Sequence, residues 1–240
     1  MGVTNLFGTL FISDILFVVI IMGKIGVFDS GIGGYSVLEK LKELMPNEEY
    51  VYYKDSDNLP YGNKTEDELF KIGYDIVSYL VSEGCFIIVI ACNTMTTKCI
   101  KKLRESFPGI IFVGTEPAIK VACDNNYRNI LVMATPATIK SFSVSRLIKN
   151  NKKDFQNIYL APCDGLAKAI EENDKESINI ILNNVLGKYK NMNIDCIVLG
   201  CTHYTFVKKE ISNIINADFV DGSLGVAKQV RRKMKKNFIS

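Results

Sequence analysis

Ile88-Val89-Ile90-Ala91-Cys92-Asn93-Thr94 and Ile197-Val198-Leu199-Gly200-Cys201-Thr202-His203 are two versions of one pattern. Each is a short apolar run that stops at a small residue and then presents a cysteine and a hydroxyl. A run of this length, rich in β-branched residues, reads as a fully buried strand. Strands buried on both faces belong to parallel sheets covered by helices. The two cysteines stand 109 positions apart, about the length of one small α/β domain. Two thiols at matching strand ends suit a reaction that needs an acid and a base on opposite sides of a substrate.

Outward from these segments, strand and helix patterns alternate from Lys24 onward. Lys24–Phe28 reads as a strand entering Asp29-Ser30-Gly31-Ile32-Gly33-Gly34. Ser36–Met45 reads as a helix, because Val37, Leu38, Leu41, Leu44 and Met45 share one face. Further strands are expected at Glu49–Lys54, Phe86–Ile90 and Ile110–Val113, with helices at Glu66–Val81 and from the Cys92 turn to Phe107. The pattern then restarts. Strands are expected at Ile130–Met133, Ile158–Leu160, Ile194–Leu199 and Asp218–Val220, and helices at Phe142–Lys149, Leu166–Glu172, Lys175–Tyr189 and Phe206–Ile215, with a closing helix after Asp221-Gly222-Ser223. Ile25–Ser30 matches Ile130–Thr135 as the two cysteine turns match each other. The expected fold class is therefore α/β: two similar three-layer domains with mainly parallel sheets. Open α/β sheets place their sites at strand C-termini, so the active site is expected in the cleft between the domains. The expected boundaries are 22–113 for the first domain, completed by 216–240, and 114–215 for the second.

Composition fits this reading. The chain has 240 residues, 48% hydrophobic and 23% charged, enough apolar material for a core without low-complexity tracts. Its net charge of +3 is concentrated in Arg231-Arg232-Lys233-Met234-Lys235-Lys236. That run reads as a solvated terminal helix, and no nucleic-acid-binding signature accompanies it. Seven cysteines, an odd number without a CxxC pair, read as free thiols in a reducing cytoplasm.

Residues 1–21 form an apolar N-terminal extension interrupted by Asp14. A central Asp is costly in lipid, and no basic residue precedes Lys24, so neither a stable membrane span nor a secretory signal fits well. The expectation is a segment outside the core fold, with Met22 as the natural start. A membrane anchor or an extra packed element are the alternatives.

Four side chains lead as candidates for chemistry. Cys92 and Cys201 could each start a helix, where N–H groups and the helix field lower a thiol pKa. Taken singly, either would read as a buried core residue. Asp29 sits in a glycine-rich turn that permits close backbone approach to an anion, or it could simply cap a helix. The glycine spacing is neither a dinucleotide fingerprint nor a P-loop. His203, the only histidine, lies two residues from Cys201 and could exchange a proton with it. A zinc site built from Cys92, Cys201, His203 and Asp29 would lack closely spaced ligand pairs. Pro60-Tyr61-Gly62, Asn93-Thr94, Thr135, Thr138 and Thr202 add hydroxyl, amide and backbone donors suited to a small zwitterion with an extra carboxylate.

Together Gly26-Val27-Phe28-Asp29-Ser30-Gly31-Ile32-Gly33-Gly34, Pro60-Tyr61-Gly62, Ala91-Cys92-Asn93-Thr94 and Cys201-Thr202-His203-Tyr204 resemble bacterial glutamate racemases, within the wider aspartate/glutamate racemase superfamily. The resemblance spans roughly residues 23 to 230. It implies a cofactor-independent, metal-free two-base racemase, with Cys92 acting on D-glutamate, Cys201 on L-glutamate, Asp29 supporting Cys92 and His203 supporting Cys201. It assigns Ser30, Tyr61, Gly62, Asn93, Thr94 and Thr202 to substrate binding. It also implies a homodimer that supplies D-glutamate for peptidoglycan, with no nucleic-acid partner. The chain departs from the pattern at Thr205, where proline is common, and at Met95, where a small residue is usual. The carboxylate that would support the second thiol falls near Pro162-Cys163-Asp164-Gly165-Leu166, and the sequence does not choose between Glu171, Glu172 and neither. Three other readings stay open on sequence alone: an aspartate or related small-dicarboxylate racemase, an inactive amino-acid-binding protein, and a zinc hydrolase.

Overall fold

The computed structural model describes residues 23–238; the apolar extension at 1–21 lies outside the described residues. Eight strands form two four-stranded sheets. The first contains β1 (Lys24–Asp29), β2 (Tyr50–Lys54), β3 (Cys85–Ile90) and β4 (Ile111–Gly114), in the order β2-β1-β3-β4. The second contains β5 (Asn129–Ala134), β6 (Asn157–Pro162), β7 (Cys196–Leu199) and β8 (Asp218–Asp221), in the order β6-β5-β7-β8. Every pairing is parallel. The two orders are the same once β5 is aligned with β1, so the repeat read from Ile25–Ser30 and Ile130–Thr135 is a repeat of topology.

Each sheet is covered on both faces. In β1 and β3, Ile25, Val27, Ile87 and Val89 pack with Val37, Leu38 and Leu41 of α1 (Tyr35–Leu44), while Phe28, Ile88 and Ile90 face the opposite layer. That layer is made by α2 (Glu66–Ser82) and α3 (Asn93–Ser106), through residues such as Leu69, Val77, Met95 and Leu103. Alternation along a strand sends successive side chains to opposite faces, so a strand buried on both must be apolar throughout. The start of α2 is fixed by a capping box in which Thr65 and Glu68 satisfy each other's backbone N–H groups.

In the second sheet, α4 (Ile119–Asp124) and α6 (Phe142–Asn151) lie over one face, where Ile119 and Val144 meet Ile130, Val132 and Val198. On the other face Leu131, Met133 and Ile197 meet α7 (Leu166–Glu171), α8 (Lys175–Leu186) and α9 (Lys208–Ser212). The short α5 (Pro136–Ile139) follows β5 directly. Among the described residues, no helix is long and apolar enough to cross a membrane.

Two expectations change. Residues 216–240 were expected to complete the first domain as a block. Instead β8 pairs with β7 as the edge of the second sheet, and only α10 (Ser223–Phe238) returns. Val226, Ala227 and Val230 of α10 bury against α1 and the first sheet, while Arg231, Arg232, Lys235 and Lys236 stay exposed. The helix expected over Phe206–Ile215 is also shorter: a 3₁₀ segment occupies Thr202–Val207, and α9 begins only at Lys208.

Candidate active site

Both cysteine turns lie at the C-terminal ends of equivalent strands, third in each sheet. A single cleft between the domains is lined by Cys92 and Asn93 from one side and by Gly200, Cys201, Thr202 and His203 from the other. The space between the lining atoms is about 690 Å³ with the open mouth included.

Cys92 immediately precedes α3 and is only 7% exposed. The helix start was expected to depress its pKa. The N–H groups of Met95 and Thr94 do act in that direction. Burial, followed by the negative charge of Asp29, outweighs them and pushes the thiol well above its ordinary value. Asp29 itself ends β1 with no exposed surface. Burial raises its pKa, against the opposing pull of His203, Thr202, Ser30 and the Cys92 side chain. Its Oδ1 accepts the Ser30 N–H at 2.9 Å, and its Oδ2 accepts the Thr202 hydroxyl at 2.8 Å from the other domain.

Cys201 is followed by a 3₁₀ turn, not an α-helix. Its Sγ lies 3.9 Å from His203 Nδ1, and His203 Nε2 lies 3.0 Å from Glu171 Oε2. Burial opposes the charged imidazole, but hydrogen bonds to Cys201 and Glu171 outweigh it and raise His203 to about 10. The same contact with His203, against burial and with help from the Ile32 N–H and Lys54, lowers Glu171 to about 2. The structure thus chooses Glu171 over Glu172: Glu171 also accepts the Ile32 N–H at 2.8 Å and pairs with Lys54 Nζ at 3.1 Å, whereas Glu172 pairs with exposed Lys168 at 3.7 Å.

The remaining expected residues divide into those that line the cleft and those behind it. Ser30, Tyr61, Gly62, Asn93, Thr94, Thr135, Thr202 and His203 line it, together with both cysteines. Asp29 and Thr138 do not; each is fully buried and bonded to a lining residue. Thr94, Thr135 and Thr138 form a hydroxyl cluster, with Thr94 Oγ1 at 3.0 Å from Thr135 Oγ1 and 3.3 Å from Thr138 Oγ1. The cluster ties α3 to the start of α5, where Thr135 caps the helix by accepting the Thr138 N–H. The Tyr61 hydroxyl donates to Asp55 at 2.6 Å.

Asp55, Lys54 and the cleft-lining Cys163 and Lys168 were not singled out from sequence. Asp55 carries a usable signal, since it follows β2 at the strand edge where sites cluster. The departures are accommodated simply. Met95 is a buried member of the first-domain core, and the Thr205 hydroxyl donates to Thr202 O at 2.8 Å.

Comparison with known proteins agrees with this architecture. The profile of the Asp/Glu/hydantoin racemase family matches residues 25–230. A glutamate racemase of Clostridium novyi (strain NT) is 41% identical over 218 residues, covering 89% of this chain and 84% of that protein. The crystal structure of glutamate racemase from Francisella tularensis in complex with D-glutamate superimposes with a TM-score of 0.78 at 29% identity, over 90% of this chain and 82% of that one. The Escherichia coli glutamate racemase, crystallised with L-glutamate and the activator UDP-MurNAc-ala, gives a TM-score of 0.78 at 27% identity, over 89% and 83%. The profile reaches from the first strand into the closing helix, and the Clostridium relative aligns along most of both chains: the chain belongs to the Asp/Glu/hydantoin racemase family.

Proposed function

We propose that the chain interconverts L- and D-glutamate by direct proton exchange at Cα, without a cofactor, and that Cys92 and Cys201 are its two bases. One observation carries this reading: two buried thiols from equivalent strand ends of two domains line one small cleft. Each has its own supporting group, Asp29 for Cys92 and the His203–Glu171 pair for Cys201. The named activity of the Clostridium, Francisella and Escherichia relatives supports glutamate as the substrate.

In this scheme Cys201 takes the α-proton of L-glutamate while Cys92 returns a proton to the opposite face, and D-glutamate reacts in reverse. The raised pKa keeps Cys92 protonated at neutral pH, so it starts as the acid in the L-to-D direction. Asp29, whose charge acts on that thiol, would accept its hydrogen bond and hold it in one orientation. A protonated His203 donates Nδ1–H toward the Cys201 sulfur and Nε2–H to Glu171, which balances charge as the proton moves. Negative charge develops on Cα and its carboxylate in the planar transition state. Hydroxyl and amide donors of Ser30, Asn93, Thr94, Thr135 and Thr202, with Tyr61 and the Gly62 backbone, would hold the two carboxylates and stabilise that charge where it forms. Thr138 orients the hydroxyls of Thr94 and Thr135. We further propose that the enzyme acts as a cytoplasmic homodimer and supplies D-glutamate for peptidoglycan.

The test is proton NMR of the purified chain with L-glutamate in D₂O, with chelator and no added cofactor. Loss of the α-proton signal together with loss of optical rotation supports the proposal. Exchange with aspartate alone would move the assignment to an aspartate racemase. Glutamate that binds without exchanging would make the chain a binding protein.

A further inference from the structure

Beside the catalytic cleft lies a second, smaller cavity, lined by Ser36, Asn93 and Thr115 from the first domain and by Cys201 and Thr202 from the second, with Ser223 also on its wall. It leaves about 10 Å³ for the centre of a water-sized molecule, roughly what one bound water needs. Two of its lining residues each carry a side-chain atom, Asn93 Oδ1 and Thr115 Oγ1, that is sealed from solvent and has no hydrogen-bond partner among the described residues. The residues are 5% and 3% exposed. Thr115 is otherwise firmly held: its N–H donates to Ile90 O at 3.0 Å and faces Thr96 Oγ1 at 3.1 Å. Its hydroxyl alone is left without a partner.

A buried polar atom without a partner is costly, and native proteins satisfy such groups with protein or water. A partly open space of one-water size, lined by the two residues that carry such atoms, is a setting in which a bridging water binds. We infer that this cavity binds one water molecule that bridges Asn93 Oδ1 and Thr115 Oγ1. Asn93 lines both this cavity and the catalytic cleft. The water therefore pins the Asn93 amide from that side and holds its other end against the substrate. Thr115 thus becomes a positioning residue that touches no substrate. Its functional consequence rests on the glutamate reading above; the water site does not.

The test pairs high-resolution crystal structures of the full chain with kinetics of Thr115→Val and Thr115→Ser. The wild type should show one water within hydrogen-bonding distance of both atoms. Thr115→Ser should keep it, and Thr115→Val should lose it. KM for glutamate should rise about fivefold in Thr115→Val, the loss of about one net hydrogen bond, with kcat changed less, and Thr115→Ser should restore it. A dry wild-type cavity overturns the inference, as does a folded Thr115→Val variant with wild-type KM. A wild type that holds the water but does not racemise glutamate would overturn the functional reading and leave the water site standing.

Discussion

Glu171 Oε2 lies 3.0 Å from His203 Nε2 and also accepts the Ile32 N–H at 2.8 Å, so one carboxylate oxygen joins the histidine beside Cys201 to a loop of the opposite domain. Its other oxygen, Oε1, takes Lys54 Nζ at 3.1 Å, again from the first domain. The carboxylate that bonds His203 is therefore also a clasp between the domains.

Removing that carboxylate should move a pH limb. In Glu171→Gln, His203 loses the partner that helps raise it to about 10 and falls back toward its ordinary 6.5. The alkaline limb of kcat/KM for L-glutamate should shift to lower pH, with a loss of about tenfold or more at the optimum. Initial rates from about pH 6 to about pH 10 would show it. An unmoved limb would mean that Glu171 does not set the charge of His203.

The same pair should leave a signature in stability. Glu171 is lowered from 4.5 to about 2, so its contribution is present above 4.5 and is lost as pH falls toward 2. His203 is raised from 6.5 to about 10, so its contribution is full below 6.5 and is lost as pH rises toward 10. The difference in melting temperature between wild type and Glu171→Gln should be widest between 4.5 and 6.5 and narrow on both sides. A difference independent of pH would assign the clasp to packing alone.

Changing Cys92 or Cys201 to Ala should abolish racemisation of either enantiomer, by about 10³-fold or more, because inversion needs both faces served. Serine at either position should leave slow α-proton exchange from the face of the remaining thiol. Deuterium incorporation without racemisation is the readout. Normal turnover in either Ala variant would sink the two-thiol scheme.

Gly33 marks how closely the domains meet. A Cβ there would come within 2.7 Å of the His203 backbone nitrogen and would also clash with the Thr202 hydroxyl. Gly33→Ala should push the first-domain loop away from the Thr202–His203 turn and separate Asp29 from Thr202. Activity should fall about 10²-fold, the scale expected when catalytic groups are displaced by about 1 Å, while far-UV circular dichroism stays native. Retained activity would show that the turn can yield without disturbing the site.

Most of the architecture was legible because buried parallel strands write themselves as continuous apolar runs. All eight strand positions, read from segments such as Ile88–Ile90 and Ile197–Leu199, fell within two residues of the observed ends, but the last, expected at Asp218–Val220, was assigned to the wrong domain. The assignment failed because a four-residue strand says nothing about which sheet it joins. Two short helices, α4 and α5, went unread; a helical period is faint over six or four residues, although α7, also six residues long, was read.

The sequence by itself determined the repeated α/β units, both cysteines and the polar residues at their strand ends, since each rests on local pattern. Tertiary structure decided what those residues experience. Burial raises the Cys92 thiol against the helix start that should lower it. The hydroxyl of Thr202 reaches Asp29 across 173 positions, and Glu171, not Glu172, reaches His203. Desolvation and contacts between domains depend on how two separately legible halves pack together, and no local run of residues encodes that.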